Sequence, residues 1–159
     1  MKTAIIYASK HGTTEKVAEI IKSKLLNDDV ELFNLAEKPN VEFRKFDRIL
    51  IGSSVYAGAI QPKAHKFVAQ NMINLLQKEV AIFVCCMFFE KAYEQIEKGF
   101  PEALRKHARS IKHVGGEFRF DEMNAIERFL VKKIAGATES VSKIDEKCIE
   151  EFISEINNN

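Results

Sequence analysis

A chain of 159 residues with 46% hydrophobic side chains is long enough to bury a core unaided, so it needs neither disulfides nor metals to fold. Its 24 basic and 23 acidic side chains leave a formal net charge of +1, which points to no nucleic-acid partner and to no acidic tail. Of its three cysteines, Cys85 and Cys86 are adjacent and Cys148 is remote; they have no metal-ligand spacing and read as free thiols of a reducing compartment.

The opening MKTAIIYASKHG has too short an apolar run for a secretory signal, and no apolar stretch reaches the ~18 residues of a membrane span. A cytoplasmic location with no transmembrane segment is expected. Residues 3–8, TAIIYA, are uncharged and β-rich and suit a strand buried on both faces. A polar turn, SKHGTT, leads into a helical pattern over residues 14–26, with Val17, Ile20, Ile21 and Leu25 at helical spacing. VELFNL at 30–35 alternates as a second strand. Residues 47–53, ending RILIGS, form a third. Pro62 is placed to open a helix over 62–76. The continuous apolar run VAIFVCCM within 79–87 predicts a fourth, buried strand. Residues 90–110 are helical in pattern, with breaks at Gly99 and Pro101. IKHVGGEFRF at 111–120 reads as a fifth strand carrying two glycines. A helix follows over 121–134 and another over 145–156, the last capped by Asp145.

There is no repeat, low-complexity tract or linker, so residues 1–159 are expected to form a single domain. Short apolar strands alternating with helices predict an open parallel α/β sheet with helices on both faces, and ligands in such sheets bind beyond the carboxyl ends of the strands.

The turn after the first strand has the chemistry of a phosphate cup. Ser9, Thr13 and Thr14 supply hydroxyls, Gly12 permits close backbone approach, and the following helix N-terminus adds partial positive charge. Hydroxyls that wrap three oxygens suit a terminal monophosphate. Neither G-x-G-x-x-G for a dinucleotide nor G-x-x-x-x-G-K-[ST] for a triphosphate is present. At the end of the third strand, GSSVYAGAIQP offers Tyr56 as a flat stacking face and Gly58 as an unhindered peptide.

Ile5, Ile6, Tyr7, Ala8 and Ser9, followed by Gly12, Thr14, Ala18 and Ile21, resemble the flavodoxin signature. That resemblance implies a three-layer α/β/α flavodoxin-like fold with a five-stranded parallel sheet in order 2-1-3-4-5. The family is itself the known example of ligand binding at the β1/β3 switch point, so this placement comes with the resemblance. It implies FMN as cofactor, with Ser9, Lys10, His11, Gly12, Thr13 and Thr14 around the phosphate. Ser54, Val55, Tyr56, Ala57 and Gly58 would lie along the ring, and Ala57 between Tyr56 and Gly58 leaves open which peptide faces flavin N5. Backbone at Cys86 and Met87, with Phe88, would form the third contacting loop. No residue is assigned a catalytic or metal-binding role.

The expected function is electron transfer through bound flavin, with a reductase and an acceptor protein as partners. A second resemblance, to the flavodoxin-like menaquinone-dependent protoporphyrinogen oxidases, rests on the aromatic and basic stretch 115–136. It implies a quinone or porphyrin substrate instead, with Arg119 facing a propionate. In the carrier reading Phe129 and Leu130 are packed core. Carrier flavodoxins tend to be strongly acidic, and the near-neutral charge here counts against a typical one. A ligand-binding domain with no redox role is the third alternative.

Overall fold

The computed structural model describes residues 1–158. Its elements are β1 (Lys2–Ala8), α1 (Thr13–Lys24), β2 (Asp29–Asn34), β3 (Arg48–Tyr56), β4 (Ala59–Ile60), α2 (Pro62–Leu75), β5 (Glu79–Cys85), α3 (Phe89–Gly99), α4 (Glu102–His107), β6 (Ser110–His113), β7 (Glu117–Phe118), α5 (Ala125–Ala135), β8 (Val141–Ser142) and α6 (Glu146–Asn157). Strands β2-β1-β3-β5-β6 pair in parallel, which is the expected 2-1-3-4-5 order once the short β4 takes a number.

Alternation along the central strands divides the core in two. Ala4, Ile6 and Ala8 of β1 face one side, where they meet Ala64, Phe67 and Val68 of α2, Ile96 of α3 and Leu104 of α4. Ile5 and Tyr7 face the other, against Val17, Ala18 and Ile21 of α1 and Ile149, Phe152 and Ile156 of α6. A period of two in the strand and a stripe on each helix produce this three-layer arrangement directly. Asp145 caps α6, its side chain accepting from the Cys148 amide at 2.9 Å.

At the amino end of the sheet Arg48, the first residue of β3, is almost fully buried. Its guanidinium donates to Asp28 Oδ2 at 3.1 Å, Glu79 Oε2 at 3.3 Å, Asn157 Oδ1 at 3.1 Å and the Ile156 carbonyl at 2.8 Å. One buried cation thereby joins the ends of β3, β5 and α6 to the turn before β2.

The expected fifth strand is shorter than its apolar pattern. Pairing with β5 stops at His113. Gly115 has φ +79°, and a Cβ there would lie 1.9 Å from the Lys143 carbonyl oxygen. The chain therefore leaves the sheet, and Glu117–Phe118 pairs antiparallel with Val141–Ser142 instead. Gly115→Ala combines a left-handed φ with a backbone clash, so it should cost about 1–3 kcal/mol of stability in urea unfolding. The helix expected over 121–134 likewise starts later. A 3-10 turn at Phe120–Glu122 precedes it, and Asn124 caps α5.

Candidate functional site

Four loops meet beyond the carboxyl ends of β1, β3, β5 and β6, around a cavity of about 500 Å³. This is the size of an ordinary small-molecule site. Ser9, Lys10, His11 and Thr13 line it from the first loop; Ser54, Val55, Tyr56, Ala57 and Gly58 from the second; Cys86, Met87 and Phe88 from the third. The structure thus brings twelve of the fourteen expected residues to one cavity. Gly12 and Thr14 do not line it. Thr14 is wholly buried, and Gly12 carries φ +87° with Arg119 Nη1 packed 2.4 Å from where a Cβ would sit.

The first loop presents donors. Gly12 is the N-cap of α1, and no side chain caps that helix, so its first amides are left to solvent or to a ligand. The Thr14 hydroxyl is buried without a hydrogen bond of ordinary geometry; the weakly accepting Cys85 thiol is the group it faces. Ser54 Oγ is likewise buried and unpartnered among the described residues. The uncapped α1 amides, with the Thr14 hydroxyl on the same turn, match the needs of a phosphate, whose oxygens accept from N–H and O–H alike. Thr13 differs: its hydroxyl faces Glu117 Oε2 at 3.4 Å, and Lys16 Nζ holds the same carboxylate at 2.6 Å. The Ser9 hydroxyl accepts from the Gly12 amide at 3.0 Å, which fixes the turn.

The second loop is a hairpin. Tyr56 pairs with Ala59, and Ala57 (φ 49°) and Gly58 (φ 78°) make the two-residue turn between β3 and β4. Positive φ at both centres is the geometry that matches the twist of paired strands. It is usually filled by Asn-Gly, and Ala57 holds it here at some strain. Tyr56 stands half-exposed at the cavity rim.

The third loop offers Phe88, whose ring meets Phe118 edge-on at 6.3 Å. His113, for which the sequence names no partner, approaches the Cys86 carbonyl with Nε2 at 2.7 Å and meets the edge of Phe89. His65 and His107 lie exposed on helices, as expected. Burial raises the Cys85 thiol to about 12, so it is an inert group.

A fourth wall comes from α5 and the segment before it, through Met123, Glu127, Leu130, Val131 and Ile134. Phe129 and Leu130 are not packed core: they are 63% and 43% exposed, because α5 crosses the cavity mouth instead of lying on the sheet. The one buried residue of α5 is its acid, Glu127. Its carboxylate accepts from Tyr56 OH at 3.0 Å, meets His11 Nε2 at 3.2 Å and lies 3.6 Å from Lys10 Nζ. It also closes a capping box with Asn124. Burial alone would raise the pKa of Glu127, but the Asn124 amide, the Tyr56 hydroxyl and His11 outweigh it and hold the group at about 2. A carboxylate held below its ordinary 4.5 stabilises the fold at neutral pH and loses that contribution as pH falls from 4.5 toward 2. Arg119 donates to the His11 carbonyl and faces Asp121 and Glu122, so its charge is already engaged. The sequence reading passes over Glu127. Its signal is N-A-I-E at 124–127, a capping box that places the only acid of an otherwise basic and apolar helix.

A flavodoxin domain family model matches residues 4–145. Protoporphyrinogen IX dehydrogenase [quinone] of Escherichia coli strain K12 is 24% identical over 148 residues, spanning 84% of this chain and 78% of that protein. Among solved structures, oxidised flavodoxin 1 from Bacillus cereus superposes with a TM-score of 0.58 at 16% identity, covering 98% of this chain and 97% of that one. The flavodoxin of Streptococcus pneumonia TIGR4 gives 0.59 at 18%, covering 98% and 97%.

Proposed function

This chain belongs to the flavodoxin domain family as a flavodoxin-like redox protein, and from that premise we propose that residues 1–159 act as one FMN-binding domain that passes electrons between a reductase and an acceptor. What the flavin supplies when bound is reversible electron transfer; the protein supplies position and electrostatics. The observation that carries this reading is the uncapped start of α1 at the cavity, where Thr14 Oγ1 is buried without an ordinary hydrogen-bond partner. In it, Thr14 and the α1 amides hold the phosphate. Ser9 shapes the turn that aims those amides. Tyr56 offers its ring to the isoalloxazine, and the backbone of Ala57, Gly58, Cys86 and Met87 meets the ring edge. Such a protein works in the cytoplasm; among the described residues no helix is long and apolar enough to cross a membrane. Titration of the flavin-free chain with FMN and with FAD tests the reading. FMN should bind more tightly and lose fluorescence on stacking; tighter binding of FAD would refute it.

A second reading is a menaquinone-dependent protoporphyrinogen oxidase, after the activity named for the Escherichia coli relative. It is favoured by α5, whose Leu130, Val131 and Ile134 cover the cavity with apolar surface where a protein-docking carrier needs an open edge. The FMN-loaded chain should then oxidise protoporphyrinogen with a menaquinone as acceptor. Absence of turnover leaves the carrier reading alone.

A further inference from the structure

The helix that covers the cavity is attached to the body in an unusual way. An amphipathic helix is ordinarily held by its apolar stripe. In α5 the large apolar residues Ile126, Phe129, Leu130 and Ile134 are all more than two-fifths exposed, and the buried side chain is the carboxylate of Glu127. That carboxylate reaches two separate loops at once: Lys10 and His11 after β1, and Tyr56 at the β3 hairpin. Lys10 Nζ in turn lies 5.0 Å above the Tyr56 ring, and His11 meets that ring edge-on at 5.9 Å. The four side chains form one cluster across the cavity mouth. Every member but Glu127 belongs to a loop that lines the cavity from the sheet.

We infer that α5 is a lid and that Glu127 is the latch that holds it shut, by tying α5 to Tyr56, His11 and Lys10. The lid consists of α5 with the segment leading into it. Gly136, with φ +68°, ends the helix, and no atom lies within 4 Å of the position of a Cβ there. Opening breaks three polar contacts to one carboxylate and uncovers one buried apolar side chain, Met123, while the large apolar residues of α5 itself are exposed already. A lid of that kind responds to single polar substitutions, whereas one held by apolar packing does not. Glu127 is thus a positioning residue: it sets how readily a flat ligand enters and leaves, and it orients the Tyr56 hydroxyl while the lid is closed. The role in cofactor exchange rests on the FMN reading above; the closure of α5 does not.

The test compares native chain, Glu127→Gln and Tyr56→Phe. Glutamine keeps the shape and loses the charge, and phenylalanine keeps the ring and loses the hydroxyl. In stopped-flow mixing with FMN, Glu127→Gln should raise both the association and the dissociation rate about tenfold, the scale of one lost charge-assisted contact, while the equilibrium constant moves less. Trypsin acting on the flavin-free chain should cleave at Arg128, Lys132 or Lys133 faster in both variants than in the native chain. Equal cleavage rates would overturn the latch, as would a rise in the dissociation rate with unchanged association. If Glu127→Gln fails to fold, Tyr56→Phe decides by the same two readouts. A native chain that takes up no FMN would refute the proposed function, and the cleavage rates would still judge the lid.

Discussion

Replacing Thr14 by valine should weaken the proposed FMN binding by about 10- to 150-fold, and the same change should leave the flavin-free chain as stable as before or more so. The two halves have one cause. Thr14 Oγ1 is buried with only the weakly accepting Cys85 thiol before it, so the fold carries a poorly compensated hydroxyl. Valine keeps the branched shape and removes that penalty, which for an unsatisfied polar group is about 1–3 kcal/mol. Against a phosphate oxygen the same hydroxyl is a charge-assisted donor worth about 1.5–3 kcal/mol, which gives the stated range of affinity. Titration by flavin fluorescence and urea unfolding of the empty chain measure the two. A variant with lower stability and unchanged affinity would move the phosphate away from α1.

Replacing Asp28 by alanine should destabilise the chain by about 3–5 kcal/mol and lower its melting temperature by about 10 °C. Arg48 is 3% exposed, and Asp28 is its most buried carboxylate partner. Glu79 remains after the substitution, but it is one-third exposed and answers only the Nε side of the guanidinium. Thr3, wholly buried, also loses the acceptor of its hydroxyl. Most of the penalty is the cost of an unpaired buried cation, so Arg48→Met in the Asp28→Ala background should recover a large part of it. Calorimetric melting of the native chain, the single variant and the double variant reads this out. A single variant as stable as the native chain would show that solvent reaches Arg48.

The regular layers were legible because their signals are strong and local. Uncharged runs such as TAIIYA and VAIFVC leave few alternatives to buried parallel strands. Pro62 and Asp145 mark helix starts by their own chemistry. The two principal loops of the site were legible for the same reason, since residue types suited to an anion and to a flat ring stand at strand ends. What the sequence reading lacked depends on contacts between distant segments. Pattern extends a strand through Phe120; the Lys143 carbonyl packed against Gly115 ends it. Apolar spacing in this helix reads as a core-facing stripe, and only the three-dimensional path of α5 shows that Glu127 shares the cavity-facing side with Leu130, Val131 and Ile134 while Ile126 and Phe129 face outward. The role of Glu127 is fixed by partners 71 and 116 positions away in sequence, beyond the reach of any local rule.

The buried Arg48 cluster and the cavity stand at opposite ends of the same parallel strands. A strand of seven residues, such as β1, spans about 20 Å, well past the distance at which substitutions usually influence one another. The free-energy changes from Asp28→Ala and Thr14→Val should therefore sum in the double variant to within about 0.5 kcal/mol. The chain is in this sense modular along its strands. One end can drift or be engineered for robustness while ligand preference is selected independently at the other.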